Sequence, residues 1–335
     1  MSLVNVIMLK IMNENLNKAS LNKKDEFYTQ LSDIEKELQH YKKHFKNKTV
    51  YCNCDDPRVS NFFNYFALNF EYLELKKLIT TCYKNQEWNL FSQNASESAV
   101  YLEYEGDKNG NKIPDAEEIG INPLKGNGDF RSEESIELLK QADIVVTNPP
   151  FSLFREYVDQ LITHRKKFLI IGNVNAISYK EIFKLIKRNK IWMGPSIKSG
   201  DREFGVPGDY PLTAASSRVD ENGNKFVRVK GVRWFTNLDY PSRYSDLELY
   251  KTYSEENYPK YDNYDAINID VTKEIPADYK GHMGVPITFL DKYNPDQFEI
   301  LGIMASTTVD QDNFGYPYVD GKKIYARVVI RNKKL

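Results

Sequence analysis

The sequence predicts an α/β fold, a doubly wound and mostly parallel sheet followed by a C-terminal β-rich region. Three observations carry this prediction. From residue 48 to 190, short apolar runs alternate with segments of helical spacing, the pattern of strands joined by crossover helices. Ile144-Val145-Val146 is apolar at consecutive positions, as in a strand buried on both faces. Pro149 and Pro150 then stop it, because neither has an N–H to give and each fixes φ. After residue 195 the alternation ends, and short aromatic segments with Pro and Gly take over.

In chain order, residues 1–22 are polar, rich in Asn and Lys, and read as a flexible arm. Asp33 to Phe45 places Ile34, Leu38, Tyr41 and Phe45 on one helical face. Val50-Tyr51-Cys52 is a strand, and Pro57 suits the first turn of a helix running to about Phe70. Leu78 to Tyr83 is a second strand. Asn109-Gly110 and Asn222-Gly223 each sit between extended segments and mark hairpins. Ser132 caps a helix that runs to Gln141. The strand at 144–146 leads to a helix over 152–162, spaced by Leu153, Phe154, Tyr157 and Leu161. Phe168 to Ile171 is the next buried strand, and 178–190 a further helix. The expected organisation is an arm (1–22), an α/β domain (23–194), and a β-rich region (195–335) with strands that complete the sheet.

With 335 residues the chain can bury a full core. Its formal charge of −1 announces no global attraction to nucleic acid, so any such affinity must come from local patches. Cys52, Cys54 and Cys82 give no disulfide framework and point to a reducing compartment. Cys52-x-Cys54 lacks a second pair and the histidines are scattered, so no metal site is expected. No Pro-Cys dipeptide occurs, which removes the nucleophile motif of cytosine-C5 methylation. The apolar run Val4 to Leu9 is too short to span a bilayer and lacks the flanks of a signal peptide, so the chain reads as cytoplasmic.

Asn148-Pro149-Pro150-Phe151 follows its strand directly, and in open α/β sheets that carboxyl edge is where ligands bind. The chemistry it suits is methyl transfer to an exocyclic amine. Such an NH₂ is a weak nucleophile because its lone pair is delocalised into the ring. The Asn148 side-chain oxygen and the Pro149 carbonyl are two acceptors that can draw the hydrogens out of plane and free the pair. Phe151 would stack on a base flipped out of a duplex. The bland reading is a proline-stiffened strand exit with a core Phe.

Other segments stand in order around this one. Upstream are Lys24-Asp25-Glu26-Phe27-Tyr28-Thr29-Gln30, Val50-Tyr51-Cys52-Asn53-Cys54-Asp55-Asp56-Pro57, and Gly128-Asp129-Phe130-Arg131-Ser132. Far downstream is Gly284-Val285-Pro286-Ile287-Thr288-Phe289-Leu290. Together they resemble the EcoRI-type family of adenine-N6 DNA methyltransferases, from about residue 23 to the C-terminus. The resemblance implies a Rossmann-like methyltransferase sheet, S-adenosylmethionine as methyl donor, and adenine in double-stranded DNA as acceptor. It also implies a restriction–modification or phage-borne setting and a chain able to act as a monomer. Residues 23–194 would be the catalytic domain and 195–335 the target-recognition region.

The resemblance further assigns Asn148, Pro149, Pro150 and Phe151 to catalysis. Tyr28 and Thr29 would cover the donor, Asn53 and Asp55 its methionine end, and Asp129 and Phe130 its adenine. Trp234 or Phe235 would wall the acceptor pocket. Apart from the resemblance, Arg228, Lys230 and Arg233 alternate on one expected strand and would face DNA. Taken alone, Asp55-Asp56-Pro57 reads as a helix cap, Asp129-Phe130 as a turn, and Trp234 and Phe235 as core. The glycines usual at a donor turn are absent from Tyr51–Asp56, and no acidic residue follows the second strand in Cys82-Tyr83-Lys84-Asn85. Two alternatives stay open: cytosine-N4 methylation, whose enzymes more often carry Ser where Asn148 stands, and a catalytically inactive DNA-binding protein of the same fold.

Overall fold

The structure, a computed structural model, describes residues 28–54, 60–81, 99–111, 114, 118–198, 200–206, 217–306 and 309–335. These fall into two compact units, one within Met1–Asn173 and Ser199–Leu238, the other within Val174–Lys198 and Asp239–Leu335.

The first unit is built on β1 (Thr49–Cys52), β2 (Lys77–Thr81), β3 (Val100–Tyr104), β4 (Gly120–Pro123), β5 (Ile144–Thr147), β6 (Lys167–Asn173) and β7 (Val232–Thr236). They lie side by side in the order β4-β3-β2-β1-β5-β6-β7. β2, β1, β5 and β6 run parallel. β3, β4 and β7 are antiparallel to their neighbours, giving a large mixed sheet. Every residue of β1, β5 and β7 is buried, which is why β5 reads as an apolar run; β7 buries Arg233 along with its apolar residues. The helices of this unit are α1 (Leu31–Leu38), α2 (Asn61–Leu68), α3 (Glu133–Gln141) and α4 (Phe154–Thr163), with a short helical turn at Lys42–Phe45. A smaller antiparallel sheet joins Tyr28–Thr29, Arg202–Val206, Lys225–Val229 and Ser217–Val219.

Local chemistry sets the helix ends. The Ser60 hydroxyl accepts from the N–H groups of Phe62 and Phe63, and that of Ser132 from the Ser135 N–H. The helix expected to open at Pro57 starts instead at Asn61, and Pro57 itself lies outside the described residues. The helix read over 33–45 is broken after Leu38 by tighter turns, His40 N–H to the Glu37 carbonyl and Tyr41 N–H to that of Leu38. Ile34, Leu38, Tyr41 and Phe45 are nonetheless all fully buried, so the break loses none of the apolar face. Asn222-Gly223 does turn a hairpin, with Gly223 at φ +82. Asn109-Gly110 also lies between two strands that pair as an antiparallel hairpin, β3 and β4, but within the long connection 105–119 and not at a tight two-residue turn; there Glu118 gathers the N–H groups of Lys108 and Asn109.

The second unit contains α5 (Lys180–Lys187) and a four-stranded sheet of Ala266–Asn268, His282–Pro286, Arg327–Asn332 and Phe298–Met304 in that order. Tyr261, Ala266, Met304 and Val329 pack together in its core. No helix among the described residues is long and apolar enough to cross a membrane.

Candidate active site

β1 and β5 are neighbours in register, Tyr51 beside Val145, so the turns that leave their carboxyl ends meet. The contact is made by side chains. The Thr147 hydroxyl, last in β5, donates to the Asn53 carbonyl, and the Tyr157 hydroxyl on α4 donates to Asn53 Oδ1. Asn148 and Pro149 are buried at this junction, whereas Pro150 and Phe151 are half-buried. A single 3₁₀ turn, Phe151–Leu153, closes on a Leu153 N–H to Pro150 carbonyl bond of 3.0 Å and passes straight into α4. The tetrapeptide is therefore a rigid strand exit with one aromatic face partly open.

The residues expected at the donor fall in several places. Asn53 and Phe130 come together through Tyr157, whose ring meets Phe130 edge-on at 5.0 Å, while Gln160 Nε2 donates to the Phe130 carbonyl at 2.9 Å. Tyr28 and Thr29 lie in the small sheet, and the Thr29 carbonyl accepts from Asn61 Nδ2 at 2.7 Å, at the start of α2. Asp55 lies outside the described residues. Asp129 is gripped by Arg131, whose Nη2 is 2.6 Å and Nε 2.8 Å from its two oxygens. Glu134 accepts from the N–H groups of Lys125 and Gly126, which hold its carboxyl below the usual range and tie down the loop before Asp129.

Whether these residues suit a sulfonium donor can be judged on the polar atoms left over. Thr29 Oγ1 is buried and makes no hydrogen bond among the described residues. Asn53 presents its Nδ2 amine, since both of its oxygens are already engaged. Such groups need a partner, and a ligand with a carboxylate and hydroxyls supplies one, so the residues fit. Burial pushes the Tyr51 and Tyr157 phenols up, so both stay neutral here; Tyr51 shares its hydroxyl hydrogen bond with Thr81, at 3.0 Å.

The residues expected to face the acceptor are scattered. Trp234 and Phe235 have no exposed surface. Adjacent strand residues point to opposite faces, and these two pack on different helices: Trp234 edge-on to Phe62 of α2 at 6.0 Å, Phe235 against Phe154 of α4 at 4.9 Å. Neither ring is open to a stacking base in this conformation. Arg228 and Lys230 are exposed, but Arg233 is 3% exposed and its Nη1 donates to the Val232 carbonyl. The three cations do not share a surface. Among the described residues no cluster of His, Cys, Asp and Glu could hold a metal ion.

Sequence reasoning missed Tyr157 as a site residue, treating it as helical spacing only. The available signal was a hydroxyl on the buried face of α4, otherwise Phe154, Val158 and Leu161, because a buried phenol seeks a hydrogen-bond partner.

Comparison with known proteins gives the family. The model of the adenine-specific methyltransferase EcoRI family matches residues 15–333. The chain is 54% identical over 325 residues to the Type II methyltransferase M.EcoRI of Escherichia coli, covering 96% of this chain and 98% of that protein. It is 41% identical over 334 residues to the Type II methyltransferase M.MgeORF184P of Mycoplasma genitalium, covering 95% and 99%. Against the Type II methyltransferase M.MpnI of Mycoplasma pneumoniae the identity is 39% over 333 residues, covering 95% and 98%. No solved structure matches. A match across nearly the whole chain, by the family model and by three relatives alike, shows that this protein belongs to the EcoRI family of adenine-specific methyltransferases.

Proposed function

We infer that the turn after β5 holds the target adenine and that the turn after β1, with the Tyr28-Thr29 strand and Phe130, holds the donor. The reaction is site-specific methylation of adenine in DNA, with S-adenosylmethionine as methyl donor. When bound, that donor supplies a methyl carbon made electrophilic by its sulfonium. The Asn148 amide oxygen and the Pro149 carbonyl accept the two N6 hydrogens, which frees the nitrogen lone pair. Phe151 stacks on the flipped base, and Pro149 and Pro150 keep the acceptors from moving. Positioning supplies most of the rate. Thr29, Asn53 and Asp55 take the methionine end of the donor, with Tyr28 over it, and Asp129 and Phe130 take its adenine.

The parallel run β2-β1-β5-β6, with α2 and α4 packed on opposite faces of β7, supports a doubly wound, Rossmann-like catalytic domain at 23–194. Residues 195–335 form the target-recognition region, and β7 returns from it to complete the catalytic sheet. Arg228 and Lys230 meet DNA phosphates, whereas Trp234, Phe235 and Arg233 support the site from within. The chain acts as a cytoplasmic monomer on one strand at a time.

The observation that carries this reading is the join between the two turns, Thr147 on β5 to the carbonyl of Asn53 after β1. Asn148→Ala tests it. Turnover should fall by about a hundredfold or more, while calorimetry shows donor and duplex binding retained. Unchanged turnover would sink the assignment. Mass spectrometry of nucleosides from treated DNA should find N6-methyladenine; N4-methylcytosine would refute the acceptor.

A further inference from the structure

Tyr157 touches two of the residues expected at the donor, Asn53 and Phe130. Its side chain is fully buried on α4. The hydroxyl donates to Asn53 Oδ1, the ring meets the edge of Phe130 at 5.0 Å, and α4 itself continues from the turn at Phe151–Leu153. Thr147 holds the other Asn53 oxygen, the backbone carbonyl. With both oxygens already accepting, the Nδ2 amine is the side-chain donor Asn53 has left to offer. Two N–H donors match a carboxylate and oppose an ammonium.

We propose that Tyr157 is a positioning residue that locks the Asn53 amide with its NH₂ toward the donor, so that Asn53 binds the carboxylate of the methionine end and not its ammonium. The inference rests on Asn53 lying in the donor site and adds which group it binds and what orients it. An amide side chain has two nearly isosteric orientations, and only its hydrogen-bond network selects one. Burial raises the Tyr157 phenol well above its ordinary value, so it keeps its proton and donates across the working pH range. The Phe130 contact comes from the ring alone and survives loss of the hydroxyl.

The test is calorimetry on the full-length protein with S-adenosylmethionine and with its decarboxylated analogue. Tyr157→Phe should weaken S-adenosylmethionine roughly threefold to thirtyfold, the range for losing one buried hydrogen bond and leaving its acceptor unpaired. It should leave the affinity for the decarboxylated analogue, and kcat at saturating donor, near wild type. Asn53→Ala should show the same selectivity. If Asn53→Ala leaves donor affinity unchanged, Asn53 is not in the donor site and the proposal falls with that reading. If Asn53→Ala weakens the donor and Tyr157→Phe does not, positioning by Tyr157 alone is refuted. Equal weakening of both ligands by Tyr157→Phe would mean a general structural role and would also overturn the proposal. Should Tyr157→Phe fail to fold, Asn53→Asp carries the comparison, because a carboxylate there replaces the NH₂: selective loss of S-adenosylmethionine against its decarboxylated analogue supports the proposal, and equal behaviour towards both ligands overturns it.

Discussion

Gly172→Ala should damage both stability and turnover through one steric conflict. A Cβ at this position in β6 would lie 2.5 Å and 2.8 Å from Cε2 and Cζ of Phe154, and 2.9 Å from Cε2 of Phe235. Unstrained carbon contacts sit at about 3.5–4.0 Å, so both rings would have to retreat by roughly 1 Å. They have nowhere to go, because the rings are 1% and 0% exposed and already pack on each other. Overpacking of this kind costs about 1–3 kcal/mol. The smaller unfolded-state entropy of Ala would return about 0.4–1 kcal/mol, leaving a net loss centred on about 1.3 kcal/mol, at most about 2.6 kcal/mol. The displacement also reaches the chemistry. Phe154 opens α4 three residues beyond Phe151, so pushing its ring out shifts the turn that holds Asn148 to Phe151. A misplacement near 1 Å can lower the rate by about a hundredfold. Urea unfolding and single-turnover methylation at saturating donor and duplex read the two effects. Adding Phe154→Leu to Gly172→Ala should recover part of the stability, since the smaller side chain relieves the closest contact. A wild-type urea midpoint with wild-type turnover in Gly172→Ala would refute the reasoning.

Replacing both Arg228 and Lys230 with Ala should weaken cognate and unrelated duplexes alike and reduce the log–log salt slope by about 2, at roughly 0.9 per phosphate contact; an unchanged slope removes them from the DNA face. Arg233→Ala should instead lower the thermal midpoint with little change in salt slope, because Arg233 is buried in β7. Glu134 should make stability depend on acid in a definite sense. Its carboxyl is held low by the Lys125 and Gly126 N–H groups, so its contribution is present at neutral pH and lost as the pH falls through its depressed value. The thermal-midpoint gap between wild type and Glu134→Gln should therefore be largest near pH 7 and shrink below about pH 4, and a gap that widens in acid would contradict this.

What the chain declared by itself was local. Ile144-Val145-Val146 followed by Pro149-Pro150 announces a buried strand and its stop, since burial on both faces and the missing proline N–H act within a few residues. Ser132 announces a cap for the same reason, one hydroxyl reaching one N–H three residues on. The order of the motifs from Tyr28 to Leu290 was likewise legible and sufficed for the family. Side-chain neighbours were not. Val232 to Thr236 is buried throughout, so it carries no alternation to say which face Trp234 or Arg233 takes. Its place beside β6 comes from pairing with a strand about sixty residues earlier, Trp234 against Ile171. The helical spacing of 33–45 also persisted across a break, because tight turns keep the same residues facing inward. The Asn53 lock shows the division most plainly: a sequence displays a phenol, a hydroxyl and an amide more than ninety residues apart, and only the pairing of β1 with β5 brings donors to acceptors. Hydrogen bonds act over about 3 Å, so which groups satisfy one another is decided by the sheet that places them there.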